Sequence, residues 1–161
     1  MTPHLRYLAY VLRHKWHVFY AGVALGVPLW QLLIHDASKF SRAEWGPYVR
    51  RFFGGRGSQI DKDADPVEFH MAWRHHWTRN PHHWEYWLPE PVCEPQQGPL
   101  PIPERYAREM VADWYGAGMA QGKPDVAGWY AQHGDKKLLH ADTRALVERL
   151  IGDAKRRKLI P

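Results

Sequence analysis

The chain has 161 residues and a single cysteine, Cys93, so no internal disulfide can form and a reducing cytosol is the expected compartment. Long hydrophobic runs are missing too. The apolar stretch 18–25 follows Arg6, Arg13 and Lys15 and so imitates a signal peptide. Gly26 and Pro28 break it, no convincing small-residue cleavage site follows, and it is too short to span a bilayer. A core helix is expected there, with no membrane role. Alternating strand patterns and internal repeats are also lacking, which leaves helices as the building material. What the chain does have is 45% hydrophobic residues and nine tryptophans, enough to exclude disorder and to fill the core of one domain.

The formal charge of +5 favours anionic ligands. Much of the excess lies in Lys155-Arg156-Arg157-Lys158, which reads as a solvated helix end whose cations complement the macrodipole.

Helix signals run through the chain. Tyr7, Val11, His14, Val18, Ala21 and Leu25 recur at spacings of four and three, one stripe of a first helix that Gly26 and Pro28 stop. Pro28 opens a short second helix to about 36, and Ser41-Arg42-Ala43-Glu44 is a capping-box pattern before a third, from 44 to about 53. Gly54-Gly55-Arg56-Gly57-Ser58 reads as a flexible loop. Asp65-Pro66-Val67-Glu68 caps a fourth helix that Asn80-Pro81 ends. The Pro-rich segment 89–103 is an irregular connection long enough to cover a site. A fifth helix runs from 103 to about 118, a short one spans about 125–133, and a last one spans about 142–158 with Leu146, Val147, Leu150 and Ile151 inward. The expected fold is all-α, a single helical bundle.

Ionisable residues on apolar stripes carry the functional signal, because burying them unpaired is costly. His14 interrupts the first stripe. Leu29, Leu32, Leu33 and Asp36 share a face of the second helix, which turns Asp36 inward. Phe69, Ala72, Trp73 and His76 form a stripe with His75 to one side, and Tyr106, Met110, Asp113, Trp114 and Ala117 align on the fifth helix. Four helices thus aim an imidazole or a carboxylate inward, beside His35. A divalent cation would offset the burial of both carboxylates and keep the imidazoles neutral. The stripe favours His14 over His17, one turn away. His82 and His83, after Asn80-Pro81 and before the aromatic cluster Trp84, Tyr86 and Trp87, can join His76 around a second ion. The choice between His82 and His83 stays open, and the alternative for this segment is a hydrogen-bonded turn with its rings as core filling.

A histidine, a His-Asp pair about twenty residues later and a distant Asp, all on helices, resemble the HD-domain superfamily of metal-dependent phosphohydrolases. The matching residues are His14, His35-Asp36 and Asp113, with Lys39 like the lysine common shortly after the pair. Longer phrases, among them Leu33-Ile34-His35-Asp36-Ala37-Ser38-Lys39-Phe40, Ala72-Trp73-Arg74-His75-His76 and Glu109-Met110-Val111-Ala112-Asp113-Trp114, resemble an HD-like family of phages and bacteria whose function is unknown. His76 and His82 lie closer together than the superfamily's extra histidines.

The resemblance implies an HD-like helical domain holding one or two divalent ions (Mn, Mg, Co, Zn or Fe) through His14, His35, Asp36, Asp113 and some of His76, His82 and His83. It implies hydrolysis of a phosphate ester, with a nucleotide as the favoured anionic substrate, Asp36 and Asp113 at the reacting centre, and Lys39 with Arg74 or Arg79 on the phosphoryl oxygens. Two alternatives remain: a two-iron oxygenase on the same fold, and a non-catalytic protein stabilised by metal. Nucleic acid is a partner that the charge allows and no motif supports. Oligomeric state is not readable.

Overall fold

Helix α1, Pro3–Ala24, begins where Thr2 accepts a hydrogen bond from the Leu5 N–H and Pro3 supplies a preset φ at the first position. It ends before Gly26, whose φ of +74° is the left-handed turn that glycine allows without strain. The computed structural model describes residues 1–54, 65–89 and 98–157. Over these residues the chain forms seven α-helices and no strand. They are α1, α2 (Leu29–Ile34), α3 (Arg42–Phe53), α4 (Pro66–Trp77), α5 (Glu104–Ala120), α6 (Val126–His133) and α7 (Ala141–Arg157). Short 3-10 turns occupy Ala37–Phe40, Trp84–Trp87 and Gly134–Lys136. The all-α expectation holds. Most of the expected glycine loop after Gly54, Cys93, the central part of the 89–103 connection and Lys158 lie outside the described residues.

Side chains close two other helix starts: Asp65, as the sequence suggests, accepts from the Val67 N–H at 2.9 Å, and Asp125 accepts from the Gly128 N–H at 2.9 Å. Ser41 does not follow its pattern. Its hydroxyl makes no capping bond, and Glu44 is buried instead of reaching back to it. The expected capping box is therefore wrong, because Glu44 serves two histidines.

The core has two apolar clusters, and α1 runs through both. Tyr7 and Val11 join Tyr48, Val49 and Ala72 of α3 and α4. Val18, Ala21 and Leu25 join Ala107, Met110, Val111 and Tyr115 of α5 and Val147, Leu150 and Ile151 of α7. His14, on the same stripe, falls between the two, where α1 hands over from one cluster to the other. Polar groups thus meet at a seam between two dry regions. No helix of the described residues is long and apolar enough to cross a membrane.

The second helix differs from expectation. It stops at Ile34, and Leu29 and Leu33 are 60% and 70% exposed, whereas Gln31 and Leu32 are buried. Asp36 owes its burial to the turn after the helix, not to a helical stripe.

Helices α1 and α5 approach closely because Gly116 has no side chain. A Cβ there would stand 2.3 Å from Val18 Cγ2 and 2.8 Å from the Val18 backbone nitrogen. Backbone cannot rotate aside, so Gly116→Ala must part the two helices. The expected result is a loss of at least about 1–3 kcal/mol in a denaturant titration, the range for overpacking. His14 and Asp113, which these helices carry, would move apart with them.

Candidate metal centre

Asp36 is the hub. It is the only non-glycine residue with positive φ among the described residues, at φ 56° and ψ 22°. Aspartate tolerates this left-handed conformation better than most residues, yet such backbone persists only where its surroundings enforce it. The turn drops the carboxylate into the seam, where its side chain is 1% exposed.

Two groups of ligand atoms face its two oxygens. On one side, Oδ2 lies 3.2 Å from His14 Nε2 and 3.4 Å from His35 Nε2. Asp113 Oδ1 closes this group, 3.1 Å from His14 Nε2 and 3.5 Å from His35 Nε2. On the other side, Oδ1 lies 3.4 Å from His76 Nε2 and 3.5 Å from His82 Nε2, while His83 Nε2 stands 3.0 Å from His76 Nε2. The residues predicted from sequence, His14, His35, Asp36, His76, His82, His83 and Asp113, thus converge from three helices and two turns. Both His82 and His83 take part. His17 belongs to neither group.

These spacings are those of donors around an ion. Bonds of about 2.1 Å put neighbouring donors about 3.0 Å apart at a right angle and about 3.4 Å apart at the tetrahedral angle. All five imidazoles present Nε2. His35 Nε2, Asp36 Oδ1 and His82 Nε2 are buried without a hydrogen-bond partner among the described residues. Such atoms are costly to leave unsatisfied, and an ion would satisfy them together. The residues fit a metal: each side of Asp36 could hold one.

In His35, His76 and His82 the opposite ring nitrogen is held by a carboxylate that the sequence did not single out as a site residue. Glu109 Oε1 accepts from His35 Nδ1 at 2.8 Å and from His82 Nδ1 at 3.3 Å, and its other oxygen accepts from Gln31 Nε2. Glu44, from α3, accepts from His76 Nδ1 and His75 Nδ1, each at 2.8 Å. A carboxylate at Nδ1 fixes the proton there and frees the Nε2 lone pair, the outer arrangement found around metal-bound histidines. Asn80 anchors the last turn of α4 by donating to the His76 carbonyl at 2.7 Å and to Ser38 Oγ at 2.8 Å. His35, His82 and Glu109 also lie close enough to form a third ligand group, but hydrogen bonds between them already account for that closeness.

Electrostatics agree. Burial opposes ionisation of Glu109, yet the His35 and His82 N–H groups outweigh it and bring its carboxyl down to about 2. Burial likewise opposes charge on Asp36 and Asp113. The surrounding imidazoles, and Lys39 for Asp36, hold both well below the usual carboxylate range. Burial, with His82 and His76 alongside, holds His83 well below the usual histidine range, so it stays neutral, the form that ligates.

Lys39 donates to Asp36 Oδ2, and burial, which opposes its charge, is outweighed by Asp36 and Asp113. The side chains of Lys39, Asp113 and His83 keep 14%, 15% and 13% exposure, against 1–3% for His14, His35, Asp36, His76 and His82. The centre is reachable past those three groups. Arg74 and Arg79 do not share this position: both are exposed, and Arg79 donates to the His75 carbonyl at 3.4 Å.

Glu109→Gln and Glu44→Gln keep side-chain size while weakening the grip on Nδ1. Each is expected to lower metal affinity or activity about 10–100-fold without unfolding the protein. Metal titration followed by tryptophan fluorescence, with circular dichroism as the folding control, measures this.

An all-α domain with a buried carboxylate set between two histidine clusters defines a candidate metalloprotein. More particularly, the chain belongs to a family of unknown function, DUF5662, which it matches over residues 3–153. No curated protein and no solved structure matches it.

Proposed function

We propose that this protein is a metal-dependent phosphohydrolase acting on a nucleotide or another phosphate ester. One observation carries the reading: the Asp36 carboxylate stands between two ligand groups, with a part-buried lysine on the same carboxylate and a second, more accessible aspartate opposite. The resemblance of His14, His35-Asp36 and Asp113 to HD-domain phosphohydrolases supports the same chemistry, as does the net charge of +5.

With Mn, Mg, Co, Zn or Fe bound, such a centre supplies a water nucleophile near neutral pH and Lewis-acid contact to a phosphoryl oxygen. The chain's own groups do the rest. Asp113, the more exposed carboxylate, orients the attacking water and accepts its hydrogen bond. Lys39 keeps its proton and stabilises charge that grows on the phosphoryl oxygens. The seam's dry flanks strengthen both effects by keeping bulk water out. The water oxygen bonds to phosphorus and gives up a proton through Asp113 to solvent, the ester P–O bond breaks, and the leaving oxygen takes a proton from solvent at the open side.

Phosphate release from nucleoside mono- and triphosphates and cyclic dinucleotides, assayed with each metal in turn, is the test. Activity that needs metal is expected, and Lys39→Ala should lower kcat about 10²-fold, in the range for losing one charge-stabilising donor. No phosphate from any of these with any metal contradicts the reading.

The three imidazoles gathered at Asp36 Oδ1 favour a second reading, a two-iron oxygenase, since nitrogen-rich sites suit iron. Two irons per chain with a visible charge-transfer band would support it. A structural metal site is the outcome if chelation melts the protein and no reaction is found.

A further inference from the structure

Beside the centre lies a cleft of about 830 Å³ that includes Lys39 in its wall. Helix α1 lines it with Arg6, Tyr10 and Arg13, α3 with Phe52 and Phe53, and the turn after α5 with Lys123. Four of the residues lining it are lysine or arginine, and among the described residues that line it none is aspartate or glutamate. Arg6 braces the wall by donating to the Phe53 carbonyl at 2.6 Å, whereas Arg13 and Lys123 are exposed. A concave surface with cations of one sign and no compensating acid focuses potential and concentrates anions.

Lys39 joins the two regions. Its ammonium is on Asp36, so an anion lying along the cleft ends at the metal-binding carboxylate. A single phosphate at the centre needs Lys39 alone. The remaining cations suit charge further along the ligand.

We infer that the cleft binds the rest of an oligophosphate chain, so that the substrate carries at least two linked phosphates, one at the centre and the next against Arg13 and Lys123. This rests on the phosphohydrolase reading and narrows its substrate class. A hydrophobic leaving group would leave these cations without a role. The aromatic rings of Tyr10, Phe52 and Phe53 would then flank the chain or whatever it bears.

Methylenebisphosphonate, whose P–C–P bridge cannot be hydrolysed, and methylphosphonate, with one anionic group, separate the possibilities. Both can reach the centre; only the first extends into the cleft. Calorimetry on the metal-loaded full chain should show bisphosphonate binding at least tenfold tighter. In the Arg13→Gln/Lys123→Gln double variant that advantage should fall to threefold or less, with methylphosphonate binding unchanged. Both positions are exposed, so folding is not at risk, and circular dichroism checks it. Equal affinities in the wild type, an advantage that survives the double substitution, or no binding of either compound overturns the cleft assignment. Bisphosphonate binding as described, with no phosphate released from any ester, would sink the hydrolase reading and leave the cleft standing. Hydrolysis of a monophosphate ester with no bisphosphonate advantage would do the reverse.

Discussion

Asp36→Asn is expected to release metal from both sides of the centre and to leave no measurable turnover. The carboxylate faces His14 and His35 with one oxygen and His76 and His82 with the other, so one substitution removes a ligand from both groups. Asparagine tolerates the left-handed backbone at this position about as well as aspartate, so the turn is preserved while the charge is lost. Activity should fall by on the order of 10³-fold or more, beyond the loss of a single charge-stabilising donor. Asp113→Asn is the matched control, since its carboxylate serves only the His14 and His35 side. It should lower metal content by about one ion where Asp36→Asn lowers it by two. Elemental analysis of the two purified variants reads the difference. Equal losses would mean that Asp36 does not link the two groups.

The second large effect is on stability. A ligand that binds only the folded state, present at a hundred times its Kd, stabilises by about 2.7 kcal/mol. For a domain of this size each kcal/mol moves Tm by about 2–4 °C. Chelation with EDTA should therefore lower Tm by about 5–10 °C for one ion and more for two, and Mn or Zn should restore it. The protein should nonetheless stay folded. Its two apolar clusters are built from Tyr7, Val11, Tyr48 and Val49 and from Val18, Val111, Val147 and Ile151, none of which needs an ion. Without metal, His35 and His82 take up protons and offset the carboxylates: Asp36, Asp113 and Glu109 outweigh burial and hold His35 protonated well above the ordinary histidine range, and Asp36 and Glu109 raise His82. Differential scanning fluorimetry with and without EDTA tests this. An unchanged Tm would leave the site without a bound ion to lose.

The first helix was legible because burial there follows the 3.6-residue period without interruption: each of its six stripe residues, His14 included, is buried. For Asp36 the periodicity points inward for a reason that does not hold: the helix stops at Ile34, and the carboxylate is turned inward by one residue of left-handed backbone that no periodicity reveals. Glu44 was hidden by a rival local meaning, since Ser-x-x-Glu before a helix is also a capping pattern, and only tertiary contact with His75 and His76 decides between them. Glu109 had a readable signal. It stands four residues before Asp113 on α5, on the same face, within a phrase already singled out for the aspartate. The cationic cleft was not readable, because Arg6 and Arg13 of α1, Lys39 of the turn after α2 and Lys123 of the turn after α5 converge only in the fold.

Anomalous diffraction from crystals grown with Mn tests the central claim most directly. Two peaks are predicted, one among His14, His35, Asp36 and Asp113 and one among Asp36, His76, His82 and His83, sharing the Asp36 carboxylate. No peak at either position, or ions bound only elsewhere on the protein, would contradict it.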